Sequence, residues 1–256
     1  DLQTLAWPNS AVSDLPRVEF LLNADPDNRI PMLAFVGAAL NVNDVAEAER
    51  IVGLILARHP EHPRANAVLG LLLANRDAAE LLDWIRDRAR FTEGEVEGWL
   101  AKGIWLRRRE RHSAAARMFH EALQIDPRHL NATSELGLTL RAIGNRELAD
   151  ELLRWAERQQ GTVELAKRVT EKFDPAVIRS LIQTLEEVGR LWEAWGWCRA
   201  YTHAFPDDDW GAENLPRLQM RLAENLPRTL PEAVPGRSFD WDSLDEPDWS
   251  IDSKRG

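Results

Sequence analysis

One cysteine in 256 residues, Cys198, excludes an intrachain disulfide and any multi-cysteine zinc or iron–sulfur site. Basic residues are also in short supply: 32 Lys and Arg stand against 42 Asp and Glu, for a net charge of −10. That balance argues against nucleic-acid binding, because a phosphate backbone rewards an excess of Lys and Arg. No apolar run approaches the roughly 18 residues a membrane span needs. Direct membrane insertion is therefore not expected, and the longest candidate, Ile51 to Leu56, reads as helix core. Gly-rich phosphate loops, Gly-x-Ser-x-Gly elbows and His-Glu-x-x-His pairs are all missing. The six histidines, His59, His62, His112, His120, His129 and His203, are thinly spread and read as solvated or helix-capping groups. No metal, cofactor or enzymatic role is expected. The chain opens on Asp1 and closes on Lys-Arg-Gly, as a processed product or excised segment would. What remains is ordinary for a folded protein, with 44% hydrophobic and 29% charged residues.

What is present is a repeat. Its clearest copy runs from Val96 to His129. With Val96 as position one, Trp99 falls at four, Gly103 at eight, Ala115 at twenty, Phe119 at twenty-four, Ala122 at twenty-seven and Pro127 at thirty-two. A shift of 34 residues places Gly137, Ala149 and Ala156 on the same small-residue positions, with Gly144 in the turn between helices. Looser copies start at Arg29, with Ala48 and Pro60 in register, and at Pro63, with Leu69 and Gly70 in register but a shortened second helix from Asp77 to Arg90. A last copy starts at Pro175, with Gly189, Ala194 and Pro206 in register, after an expected spacer at Glu164 to Phe173. Pro26 lies 34 residues before Pro60, so Asp14 to Asp25 reads as the second helix of a degenerate leading repeat.

The spacing has a physical reading. Positions eight and twenty lie where two antiparallel helices cross, and small residues let the backbones approach. Position twenty-four supplies the large knob that fills the gap: Phe119, Leu153 or the buried, inert Cys198. The proline at thirty-two stops the second helix. Thr92 with Glu95 forms a capping-box pattern, and Asp174-Pro175 an N-cap followed by a first-turn proline. These positions resemble the tetratricopeptide repeat (TPR) family over roughly Leu15 to Asp208. The resemblance implies an all-α fold, an α-solenoid of TPR-type antiparallel helix pairs with a C-terminal capping helix and an extended tail. The expected divisions are a leading half-repeat over 1–28, repeats over 29–163, spacer, last repeat and cap over 164–226, and an acidic Pro/Trp-containing tail over 227–256. The cap is placed at Asp207 to Leu226, with Leu215, Leu218, Leu222 and Leu226 at helical spacing and Pro216 in its first turn. Pro227, Pro231, Pro235 and Gly236 then break any helix before the acidic segment bearing Phe239, Trp241, Leu244, Trp249 and Ile251.

In TPR proteins the first helix of each pair lines an inner groove. Carried over residue by residue, that resemblance assigns to the groove Arg64 and Asn75, Arg107 and Arg108, Asn131, Ser134, Glu135 and Arg141, and finally Arg179 and Gln183. Arginine forks suit carboxylates, and amides pair with an extended backbone. The expectation is a non-catalytic scaffold that holds an acidic or amphipathic peptide of a protein partner, its own tail or a neighbouring domain. The Lys and Asn pattern of the chaperone-tail carboxylate clamp is not reproduced. Asn131-Ala-Thr133 matches a glycosylation sequon, set at an expected helix start. Trp192, Trp197, Trp241 and Trp249 are candidate partner anchors, since aromatics are enriched at interface hot spots. The segment Gly189 to Arg199 and the Asp-Trp tail also look similar to TPR modules that precede FG-GAP-type β-propellers in large bacterial secreted proteins. That second resemblance implies an extracytoplasmic setting, a structural arm of a larger protein, and a tail that connects domains. Cytoplasmic and extracytoplasmic bacterial settings both stay open.

Overall fold

A computed structural model describes residues 36–37, 39–40, 44–224 and 239–249, and all regular structure among them is helical. The expected half-repeat over Asp14 to Asp25, together with Leu226, the prolines from Pro227 to Pro235 and Ile251, lies outside the described residues. The helices are α1 (Val45–Arg58), α2 (Pro63–Asn75), α3 (Glu80–Asp87), α4 (Val96–Arg108), α5 (His112–Ile125), α6 (Leu130–Ala142), α7 (Arg146–Glu171), α8 (Pro175–Glu187), α9 (Leu191–Ala204) and α10 (Asp209–Glu224). Short 3₁₀ turns occupy Ala89–Thr92 and Trp241–Ser243.

Four first helices among the described residues end in one way. Counting residues 63, 96, 130 and 175 as first, the fifteenth residue is left-handed in all four: Asp77 (φ 53°), Glu110 (59°), Gly144 (90°) and Gly189 (75°). The next N–H then reaches back five residues to a leucine carbonyl. Ala78 donates to Leu73, Arg111 to Leu106, Asn145 to Leu140 and Arg190 to Leu185, at 2.8–3.0 Å. This closure satisfies carbonyls the helix end leaves open and reverses the chain. Glycine adopts the left-handed turn freely at 144 and 189, whereas Asp77 and Glu110 carry roughly 1–2 kcal/mol of side-chain strain there.

Helix starts are capped by different residues for one reason, the need to satisfy open N–H groups. Asp44 Oδ1 accepts from the Glu47 N–H at 3.1 Å, and Asp174 Oδ1 from Ala176 and Val177 at 2.9 and 3.4 Å, just before Pro175. His62 and His129 do the same work through Nδ1, accepting from Ala65 at 3.4 Å and Ala132 at 3.3 Å. The capping box expected from Thr92 and Glu95 does not form. Thr92 is buried, its Oγ1 donates to the Ala89 carbonyl at 2.8 Å, and α4 starts without a side-chain cap. Thr92 is instead packed against Gly98, where an added methyl would sit under 3.0 Å from its side chain.

The described residues form two units, one of residues 36–149 with 239–249 and one of residues 150–224. In the first, α1 packs on α2, α4 on α5 and α5 on α6, while the first helices α2 and α4 stack on each other. Ile51, Val52 and Ile55 of α1 share a core with Ala65, Val68 and Leu72 of α2. The crossing rule holds: a methyl on Gly103 would fall under 3.0 Å from the Phe119 ring, and one on Gly70 under 3.0 Å from the Trp84 ring. Ala115 and Phe119 are fully buried.

In the second unit, Ile178, Leu181, Ile182 and Leu185 of α8 enclose a core with Ala194, Cys198 and Tyr201 of α9 and Leu218 of α10. Two expectations are corrected there. Residues 164–171 are the last turns of α7, not a connector, and Ala166 and Val169 are buried in this core. No proline or capping signal interrupts the helix at Gly161, and an apolar stripe continues past it. Pro216 sits inside α10, seven residues after its start, rather than in the first turn. It removes one backbone hydrogen bond, and Arg217 and Arg221 beyond it both donate to Glu186 of α8. The Arg217 and Arg221 hydrogen bonds hold the Glu186 carboxyl below its ordinary range against the opposing effect of burial.

Candidate peptide-binding face

Residues 239–249 lie along α5, running opposite to it: Trp241 meets His120, Leu244 meets Arg117 and Asp245 meets Ser113. Ser113, Arg117 and His120 fall at i, i+4 and i+7, one face of the helix. This face belongs to the second helix of the pair, whose other side carries Ala115, Phe119 and Ala122 into the repeat core.

Each contact reads a different feature of an extended chain. The Arg117 guanidinium donates to the Leu244 carbonyl at 3.1 Å and pairs with the Glu246 carboxylate at 3.2 Å. The Glu246 side chain is 83% exposed, so that ion pair contributes little and the carbonyl bond is the stronger hold. The Asp245 N–H donates to Ser113 Oγ at 2.9 Å. Donor and acceptor on adjacent residues of the segment are thereby matched by acceptor and donor one turn apart on α5. Asp245 and Glu246 also line a cleft with Arg111, His112 and Ser113 at the first turn of α5, where a helix favours negative charge.

Side chains complete the fit. The Trp241 indole stacks on the His120 imidazole at 3.9 Å with rings 7° from parallel, and Phe239 meets Trp241 edge-on at 4.5 Å. Leu244 is 6% exposed, and burying such a side chain contributes about 1.5–3 kcal/mol. Trp249 lies 5.7 Å from the buried Trp105 ring, which Arg109 covers at 4.2 Å. Burial pushes the His120 imidazole from 6.5 down to about 4; Arg117 acts in the same direction and Asp242 against it. The stack therefore holds a neutral imidazole.

Three of the groove arginines inferred from the family likeness, Arg64, Arg107 and Arg108, bind neighbouring repeats. Arg64 donates to Glu97 and, at 3.2 Å, to Glu95, joining α2 to the start of α4. Arg107 Nη2 donates to Glu135 of α6 at 3.3 Å, with Nε 2.8 Å from the other carboxylate oxygen. Arg108 donates to the carbonyls of Ala74 and, at 2.9 Å, Asn75, and so caps the C-terminus of α2 from the next repeat. Asp77, in its left-handed turn, lies 3.7 Å from Arg108 and 3.8 Å from Arg109. Asn75, Asn131 and Arg141 are exposed on the first helices of this unit, and Ser134 and Glu135 are half-buried. Thr133 of the sequon is buried and its hydroxyl donates to the His129 carbonyl at 3.1 Å.

In the second unit, Arg179 pairs with Asp208 at 3.2 Å and lies 5.7 Å from the Tyr201 ring centre, while Gln183 is exposed. Trp197 packs against the core shared by α7, α8, α9 and α10, and Trp192 is 58% exposed, edge-on to Trp195 at 5.9 Å. Cys198 is buried against the Gly211 carbonyl, and burial pushes its thiol up. No cluster of three or more metal-ligating side chains occurs among the described residues, and no helix among them is long and apolar enough to cross a membrane.

Sequence reasoning did not single out Ser113 or Arg117, and the expectation that His120 is a solvated or capping group is corrected, since the Trp241 ring covers it. Their i, i+4, i+7 spacing was available, but such a polar face is ordinary on an exposed helix until a ligand lies on it.

No protein-family model and no curated protein matches the chain. Among solved structures it is similar to TTC0263, a thermophilic TPR protein of Thermus thermophilus. The identity is 18%, over 88% of this chain and 93% of that one, with a TM-score of 0.24. A score that low carries no weight for the fold, which rests on the helix pairs, their shared turn and the glycine crossings. Nothing in that likeness bears on the resemblance to modules preceding FG-GAP-type propellers.

Proposed function

We propose that the chain is a non-catalytic protein-interaction scaffold of TPR-type helix pairs that holds an extended, acidic and aromatic peptide segment. The observation that carries this reading is the course of residues 239–249 along α5, where backbone, carboxylate and ring contacts converge on Ser113, Arg117 and His120. The occupied face lies on a second helix, whereas the family likeness favours the first helices. In the unit formed by residues 36–149 and 239–249, Asn75, Asn131 and Arg141 remain candidates for a further contact surface; in the other unit, Gln183 and Trp192 do.

The reading is tested by hydrogen exchange on the intact chain. The Asp245 amide should exchange at least ten-fold more slowly than an unstructured control peptide of the same sequence. Arg117→Glu should remove that protection while leaving the α4 and α5 amides protected. Exchange of the wild-type segment at the free-peptide rate sinks the proposal.

A further inference from the structure

A segment held by its own chain is also a record of what the face beneath it recognises. The contacts along α5 fall into an order: an indole on His120, a buried aliphatic side chain three residues later, a backbone amide pair on Arg117 and Ser113, a carboxylate on Arg117, and a second indole on Trp105. In sequence this is Trp241-x-x-Leu244-acid-acid-x-x-Trp249. Carboxylates at Asp240, Asp242, Asp245 and Glu246 are exposed, so the acidic character is held at the surface and the anchoring is done by rings, one leucine and two backbone groups.

We propose that the Ser113–Arg117–His120 face of α5, with Trp105, is a recognition site for acidic segments of this pattern in other polypeptides, and that residues 239–249 are its tethered, displaceable occupant. The proposal rests on the scaffold reading above and adds the chemistry of the partner. Two features favour exchange over permanent closure. The charged contact is largely solvated, and only one aliphatic side chain of the segment is fully buried. Tethering then substitutes for intrinsic affinity, because a ligand segment on the same chain binds as an intramolecular partner. A partner segment must outcompete it, so the apparent affinity of the intact chain is lower than that of the bare face.

The probe is a fluorescein-labelled synthetic peptide spanning residues 238–250, titrated against the full-length chain and followed by fluorescence anisotropy. A full-length variant carrying Trp241→Ala and Leu244→Asp should bind it at least ten-fold more tightly than the wild-type chain. Adding Arg117→Glu to that variant should abolish binding, and Arg117→Lys should restore part of it. A scrambled peptide of the same composition should not bind. Helical circular dichroism of every variant must match the wild type, and Ser113→Ala serves as the milder substitution if Arg117→Glu does not fold. Equal affinity for both chains, indifference to Arg117 and Ser113, or equal binding of the scrambled peptide each overturn the proposal. So does a dimer that light scattering shows to depend on Trp241 and Leu244, since the occupant would then be a second copy. Protection of the wild-type segment together with failure of the probe to bind the tail variant rejects recognition of other chains and leaves the scaffold reading standing.

Discussion

The helix pairs α2/α3 and α4/α5 solve one packing problem with different residues. Both cross at a glycine in position eight of the repeat, Gly70 and Gly103, and both fill the crossing with an aromatic ring, Trp84 and Phe119. Phe119 stands at the position the repeat prescribes. Trp84 comes two positions early, on a helix of 8 residues where α5 has 14. A larger ring on a shorter helix reaches the same gap, and its indole N–H donates to the Asn66 carbonyl at 2.9 Å. Asn66, fully buried, adds further links by donating to the Pro60 and His62 carbonyls at 2.8 and 3.0 Å. The crossing thus demands small-against-large complementarity and tolerates a change of letter. Helix length decides something else. Only α5 has enough turns to carry Ser113, Arg117 and His120 on its outer side while its inner side closes the repeat.

A change in global stability is expected where that complementarity is broken. Gly103→Ala and Gly70→Ala should each cost about 1–3 kcal/mol from overpacking, partly offset by the roughly 1 kcal/mol that alanine gains over glycine within a helix. Gly161 in α7 meets nothing within 4 Å of an added methyl, so Gly161→Ala should stabilise by up to about 1 kcal/mol. Chemical denaturation separates the three, and a stabilised Gly103→Ala variant would break the assigned register.

Next comes the occupied face. Leu244→Asp removes the buried anchor and should weaken docking by about 1.5–3 kcal/mol, seen as faster amide exchange over residues 239–249. No equivalent loss is expected around α3. A variant whose segment stays protected would show that the rings and Arg117 suffice.

The two left-handed turns offer a smaller contrast. Glu110→Gly relieves side-chain strain and should raise stability by about 1 kcal/mol. Asp77→Gly should gain less, because it also gives up carboxylate contacts to Arg108 and Arg109. Equal gains in a thermal melt would assign those contacts no net value.

A last effect is set by pH. His120 is held neutral in the docked state, with its imidazole pushed from the ordinary 6.5 down to about 4, chiefly by burial. A lowered value means that the undocked state takes up the proton first. The share of that burial which the segment supplies makes docking of residues 239–249 weaken as pH falls from about 6.5 toward and through about 4. Arg117 works with this trend and Asp242 against it. Tryptophan fluorescence against pH should show the transition, and His120→Gln should flatten it. An unchanged profile in that variant would move the effect to the carboxylates.

Much of the fold was legible because helix crossings leave marks at fixed spacing. Gly103, Ala115 and Phe119 declare one pair, and Gly144 and Gly189 declare two turns. Asp77 and Glu110 hide the same turn behind ordinary residues, since the leucine carbonyl that closes it is common to all four and looks like any core leucine. Thr92 mimicked a capping residue because its neighbours, not its type, decide whether its hydroxyl faces a helix start. The stretch Glu164 to Glu171 looked polar enough for a connector, yet Ala166 and Val169 suffice to bury one side of a helix already under way.

The sequence by itself determined the repeat, the places where helices cross, the buried state of Cys198 and the acidic, aromatic character of the tail. These follow from local spacing, residue size and charge, which need no knowledge of what lies opposite. Only the tertiary structure decided where the charges went. Arg64, Arg107 and Arg108 were within reach of carboxylates and carbonyls on the adjoining repeat, and they paired there. Arg117, of the same type and one helix further on, had the tail's Leu244 carbonyl and Glu246 carboxylate before it instead. A long cationic side chain pairs with whatever acceptor the fold brings within hydrogen-bond distance, and that neighbour is set by the stacking of helices far apart in sequence.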